Sequence, residues 1–197
     1  MNIQTKSSNG ITLVPIESRL LSERKVFLEG EIKEDGAMEF IRKLMCLAQE
    51  DAEAPVSILI NSPGGQINSG LLIYDVIQSC QVPLKMYCLG KAYSMAAVIF
   101  ASGRQGSRYL FPNSELMLHE PLLGNGIAGN SSSIQMVSES LLEARDKMNR
   151  ILEKHTGKSG EEVGRAVKGG RYFQAEEAIR FGLADHMAGF SDLMAGA

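Results

Sequence analysis

Apolar positions along this 197-residue chain follow two patterns: short continuous runs, and recurrences at three- or four-residue steps. The first suits buried strands and the second helices. Arg24 to Ile32 (RKVFLEGEI) predicts a strand running into a turn at Glu34-Asp35-Gly36. Met38 to Asp51 predicts a helix, with Phe40, Ile41, Leu44, Met45, Leu47 and Ala48 on one side. Val56 to Ile60 (VSILI) predicts a strand buried on both faces, ending in an Asn61-Ser62-Pro63-Gly64-Gly65 turn. A helix over about 68–78, a strand over Pro83–Cys88 and a turn at Gly90–Tyr93 come next. Ser94 to Ser102 (SMAAVIFAS) then predicts an apolar helix, and Arg108–Phe111 and Leu116–His119 short strands. Residues 1–18 read as a polar N-terminal arm and residues 19–197 as a single domain, since no composition shift or linker divides them.

Strand, turn, helix, repeated, indicates an α/β fold with a mainly parallel sheet. In such sheets ligands sit beyond the strand ends, where the Ser62–Gly65 and Gly90–Ser94 turns would lie. The stretch from Ser133 to His155 differs. Ile134, Val137, Leu141, Ala144, Met148 and Ile151 make one apolar stripe on a long helix, with serines 131–133 to cap its start and Gly157 to end it. Roughly 23 residues would reach about 35 Å, which predicts a helix that leaves the globule and packs on another subunit.

Composition narrows the function. A net charge of -3 provides no basic stripe, which argues against nucleic acid as a partner. Cys46, Cys80 and Cys88 are too widely spaced for a disulfide framework or a zinc site, and fit a reducing compartment. No secretory signal and no 18-residue apolar run is present, so the expectation is a cytoplasmic protein without a membrane span. Gly90-Lys91 and Gly157-Lys158-Ser159 lack the earlier glycine of a nucleotide loop, so ATP binding by this chain is not expected.

Two residues invite chemistry. Ser94 opens a helix, where backbone N–H groups without intrahelical partners can stabilise an anion. His119 ends an apolar strand and leaves for a loop. Taken singly, such a serine is an N-cap and such a histidine is structural. No histidine pair has metal-ligand spacing, so no metal is expected.

As an ordered set the motifs say more. Ile60–Gly65 (INSPGG), Gly70, Ile73-Tyr74-Asp75, Gly90–Ala96 (GKAYSMA), Pro112-Asn113-Ser114 and Met117–Pro121 (MLHEP) resemble the Clp protease proteolytic subunit family. The likeness continues through Lys147-Met148-Asn149, His155-Thr156-Gly157, Glu177-Ala178 and Phe181–Asp185, spanning about residues 19–186. The resemblance implies a crotonase-like α/β fold with a protruding handle helix over about 131–157. It implies Ser94 as nucleophile, His119 as general base, and the N–H groups of Gly65 and Met95 as oxyanion hole. It also implies a double ring of seven-membered rings, homo- or hetero-oligomeric, fed with unfolded polypeptide by a separate AAA+ unfoldase ATPase. No cofactor is implied.

The chain departs from the family pattern in one catalytic respect. The slot of the triad aspartate falls on Gly170, in Lys168-Gly169-Gly170-Arg171, and glycine cannot orient an imidazole. Glu115 would share a strand face with His119 but lie about 13 Å away, and Glu120 would point to the opposite side unless the strand ends at His119; a backbone carbonyl or water orienting the ring is the alternative. A further departure is a Leu122–Ser133 loop about two residues longer than the family's, and the N-terminal arm only partly matches. Three functions compete: a serine endopeptidase with a Ser-His pair, a weakly active or inactive ring subunit co-assembling with an intact paralogue, and an acyl-thioester-binding crotonase-like protein that does not need Ser94.

Overall fold

A computed structural model describes residues 1–7, 10–123 and 129–195. The N-terminal arm is a β-hairpin: β1 (Asn2–Ser7) pairs antiparallel with β2 (Gly10–Pro15). A short helix, α1 (Ile16–Ser22), leads into the domain. The sequence pattern missed it, and it contributes no buried residue. Three βα units follow: β3 (Lys25–Ile32), α2 (Glu34–Glu50), β4 (Val56–Gly65), α3 (Ile67–Ser79), β5 (Leu84–Tyr93), α4 (Met95–Ala101) and β6 (Arg108–Leu110). β7 (Glu115–Leu118), α5 (Ser131–Thr156), α6 (Gly160–Lys168), β8 (Arg171–Gln174), α7 (Ala175–Phe181), β9 (His186–Met187) and α8 (Phe190–Ala195) complete the chain.

The seven-stranded sheet runs β3-β4-β5-β6-β9 in parallel pairs. β5 divides its partners: Met86–Cys88 pair with β6, while Lys91–Tyr93 pair with β7. β7 in turn carries β8, the one antiparallel partner. The sheet therefore splits beyond Cys88, and one arm of the split holds β7 and β8.

Strand alternation sorts the core. Val26, Leu28, Ile58, Ile60, Met86 and Cys88 belong to the main core, together with α2, α3 and α4. Leu59 and Tyr87 join a second cluster with Leu193 of α8, flanked by Phe27, Tyr109 and Phe111. Both faces of β4 are thus covered, as its apolar run requires, but the second face is closed by aromatics and the C-terminal helix.

Three expected turns are corrected. Glu34-Asp35-Gly36 is the first turn of α2, where the acidic pair favours the positive end of the helix dipole. Asn61–Gly65 and Gly90–Tyr93 are strand, not turn: their glycines accommodate bulges while pairing continues, and the register shifts after Ile60 and again between Glu29 and Glu31. Buried Ser62 pins the bulge, donating to the Gly30 carbonyl at 2.6 Å and accepting from the Gly64 N–H at 3.1 Å.

The long helix runs for 26 residues or about 39 Å, a little beyond both ends of its apolar stripe. Asn130, not a serine, caps it by accepting from the Ser133 N–H at 3.0 Å, and left-handed Gly157 ends it. No residue of α5 before Met148 is buried, and Ile134, Met136 and Leu142 are exposed. No described helix is long and apolar enough to cross a membrane. Part of the Leu122–Ser133 loop, residues 124–128, lies outside the described residues.

Candidate active site

Ser94 stands at the junction of β5 and α4 with φ 55° and ψ −122°, a conformation that L-residues avoid. Its surroundings hold it there. The Ser94 N–H donates to the Met117 carbonyl of β7 at 2.7 Å, and the Ser94 carbonyl accepts from Ala97 and Val98 at 3.0 and 3.2 Å. All seven residues of α4 are buried, so the helix is fixed from behind by the core. Strain of this kind persists only where the rest of the fold over-determines it. Ser94 makes no side-chain cap bond, so its hydroxyl is not spent on the helix.

The hydroxyl meets His119 instead. Ser94 Oγ and His119 Nε2 are 2.7 Å apart, the hydrogen-bond distance that proton transfer needs. His119 lies just past the end of β7, whose pairing with β5 sets Met117 opposite Tyr93 and so brings the two strand ends level. Both side chains are half-buried. Burial lowers the His119 pKa from its ordinary 6.5, so the ring is neutral near pH 7 and free to accept a proton.

The Gly64-Gly65 segment packs directly on this junction. A Cβ at Gly64 would stand 2.5 Å from the Tyr93 carbonyl oxygen, 2.8 Å from Ser94 Cβ and 3.1 Å from the Met95 nitrogen. Only glycine fits there, and its φ of +90° demands glycine independently. Gly65, the next residue of β4, packs instead on the Ile32 backbone, and Met95 takes the first position of α4, where an N–H has no intrahelical acceptor.

Gly170 lies beside His119. β8 pairs Arg171 with Leu118, and the next antiparallel step sets Gly170 against His119. A Cβ built on Gly170 would meet His119 Cβ at 4.0 Å, ordinary contact, and nothing else within 4 Å. The two glutamates near His119 in sequence are engaged elsewhere. Glu115 accepts from the Tyr93 hydroxyl and from Gln174 Nε2, each at 2.6 Å. The first bond is the largest cause that pushes the Tyr93 phenol up to about 12. Glu120 faces Arg145 at 4.0 Å. Among the described residues no carboxylate hydrogen-bonds to His119.

The other histidines stand apart from this site. His155 meets the Tyr74 hydroxyl at 3.3 Å and is pushed down to about 4, chiefly by burial, with Lys154 and Arg108 adding to the effect. His186 is exposed and packs on Tyr109. No group of three His, Cys, Asp or Glu side chains among the described residues could hold a metal ion.

One residue at the site received no role from sequence. Asn149 borders the same small cavity as Ser94 and His119, and its Oδ1 is buried without a hydrogen-bond partner. The available signal was its place in the Lys147-Met148-Asn149 motif, next to buried Met148 and one turn from buried Leu152. The family model for Clp protease matches residues 8–189, nearly the whole chain.

Proposed function

The chain belongs to the Clp protease family, with its crotonase-like α/β fold, and from that premise we propose a serine endopeptidase subunit that cleaves unfolded polypeptide with Ser94 and His119. Proteins of this family are proteolytic subunits that generally work in oligomeric rings with ATPase chaperones. The observation that carries the catalytic reading is the 2.7 Å contact between Ser94 Oγ and His119 Nε2 at a strained strand–helix junction.

The chemistry follows from that pair. Neutral His119 takes the Ser94 hydroxyl proton on Nε2 while Oγ bonds to the scissile carbonyl carbon. The carbonyl π electrons move to oxygen, and the N–H groups of Gly65 and Met95 are the proposed donors to that oxyanion. The imidazolium then protonates the leaving amine as the C–N bond breaks. Water, deprotonated by His119, hydrolyses the acyl-enzyme and returns the serine.

The finer assembly is also a proposal: two stacked seven-membered rings, homo- or hetero-oligomeric, with ATP bound by a separate AAA+ unfoldase. The exposed apolar residues on the outer part of α5 support a subunit contact there. A second reading is favoured by Gly170 and by the lack of a carboxylate on His119 among the described residues: a ring subunit of low activity, completed by an intact paralogue.

A fluorophosphonate probe separates the two. The endopeptidase reading expects a covalent adduct on Ser94 in the isolated chain, located by peptide mass spectrometry and absent from Ser94→Ala. Labelling no greater than that of Ser94→Ala would refute it and favour the low-activity subunit. Native mass spectrometry counts the subunits and shows whether the rings are homomeric.

A further inference from the structure

For Ser94 to give its proton to Nε2 of His119, that nitrogen must be unprotonated, and the neutral ring must carry its hydrogen on Nδ1. Which nitrogen holds the hydrogen is decided by the partner of the other one. Serine proteases assign this task to an aspartate. Here the aspartate's slot is Gly170, and Glu115 and Glu120 face other partners. An acceptor must therefore come from a group that is not a carboxylate.

Asn149 is the side chain that meets the requirement. It stands on α5 between buried Met148 and buried Ile151 and Leu152. Its Oδ1 has lost water and has gained no donor, which is costly for an amide oxygen and calls for a reason. The cavity it borders is shared with Ser94 and His119 and otherwise walled by apolar groups such as Leu118, Leu152 and Val167. Its volume is about 10 Å³, space for one water at most. Oδ1 has no direct partner in the structure, so an N–H of His119 would reach it through a single bridging water or after a small side-chain rotation.

We propose that Asn149 is the positioning residue of His119, its buried Oδ1 selecting the Nδ1–H form of the ring in place of the absent carboxylate. The inference rests on the Ser94–His119 reading of the site. Asparagine fills the role with a neutral acceptor. It fixes the tautomer but gives imidazolium little of the stabilisation that a carboxylate supplies, so the pair is oriented yet slower than a full triad.

The test reads the ring, not only the reaction. The chain has three histidines, so ¹⁵N-labelled histidine in the full-length protein gives few signals, and His119 is identified by its loss in a His119 variant. The expected wild-type state is Nδ1–H. Asn149→Leu should move the ring toward Nε2–H and lower the rate of Ser94 labelling by about a hundredfold, the low end of what positioned proton transfer contributes. Asn149→Asp should keep Nδ1–H, restore labelling and raise the His119 midpoint by about one pH unit. An Nε2–H ring in the wild type, or an Nδ1–H ring unmoved by Asn149→Leu, overturns the assignment. Should Asn149→Leu fail to fold, an unchanged His119 midpoint in Asn149→Asp overturns it equally. Tautomer shifts as expected with no Ser94 labelling would refute the protease reading and uphold this one.

Discussion

Gly170→Asp places a carboxylate where the neighbouring backbone already leaves room for one. The new Cβ meets only His119 Cβ, at 4.0 Å, so no atom has to move. The residue sits at φ +67°, in the left-handed region that aspartate tolerates better than most L-residues. That conformation costs about 1–2 kcal/mol, which for a chain of this size lowers Tm by roughly 2–8 °C. The catalytic effect is larger. Loss of the acid in Ser-His-Asp proteases costs ~10⁴ in rate, or about 5.5 kcal/mol. Gly170 is exposed, and solvent screens a carboxylate there, so the expected gain is about 10²–10³. The assay is the second-order rate of fluorophosphonate labelling at Ser94 across pH. Labelling needs neutral His119, so the rate rises with pH through the ring's midpoint and then stays flat. Burial holds that midpoint below 6.5 in the wild type. The added carboxylate favours imidazolium and moves the midpoint up by about one unit, while the plateau above it rises. A folded variant, with Tm inside the expected range but the wild-type plateau and midpoint, would refute the reasoning that a missing carboxylate limits this site.

Other substitutions test the scaffold. Ser94→Gly should be more stable than Ser94→Ala by about 1 kcal/mol, because relief of the φ 55° strain outweighs glycine's greater unfolded-state entropy; equal melting temperatures would mean the junction is unstrained. Gly64→Ala drives a methyl into the Tyr93 carbonyl and Ser94 Cβ, so it should cost about 3–5 kcal/mol and abolish Ser94 labelling, read by melting and by adduct mass. Arg108 donates to the carbonyls of Ala101, His155 and Gly182 and pairs with Asp185 at 2.6 Å, so Arg108→Met should cost about 3–5 kcal/mol in chemical denaturation. Burial raises the Asp185 pKa, but the Arg108 hydrogen bond and charge outweigh it and leave it below 3.8. Its stabilising share is therefore present above pH ~4 and lost as pH falls through the lower folded value, so the Tm gap between wild type and Asp185→Asn should shrink from pH 6 to pH 3.

The α/β character was readable from residue order because VSILI and SMAAVIFAS are too apolar and too short for anything but core elements. The pairing of Ser94 with His119 came from motif order, since nothing local in MLHEP says which strand end faces it. What stayed hidden had a common cause. The INSPGG and GKAY segments carry turn residues, yet tertiary pairing keeps them in strand as bulges, overriding local preference. The α1 helix has no fully buried residue, only Leu21 packing partly on the core, and so left little apolar period to find. The sheet's second face is closed by Leu193 from the far end of the chain, a contact invisible to any local window. Asn149 was visible in the Lys147-Met148-Asn149 motif but without a role, because its interest lies in an atom without a partner.

The strained junction at Ser94 also ties competence to integrity. Its backbone angles are imposed by a helix whose every residue is core, by the Met117 carbonyl and by the tight seat of Gly64. None of these survives loosening of the interior, and a released serine is free to leave the strained conformation in which its hydroxyl meets His119. Under the proposed function, loss of interior packing therefore removes the Ser94–His119 pair along with the fold. On that reading the junction acts as a safety catch built from packing alone.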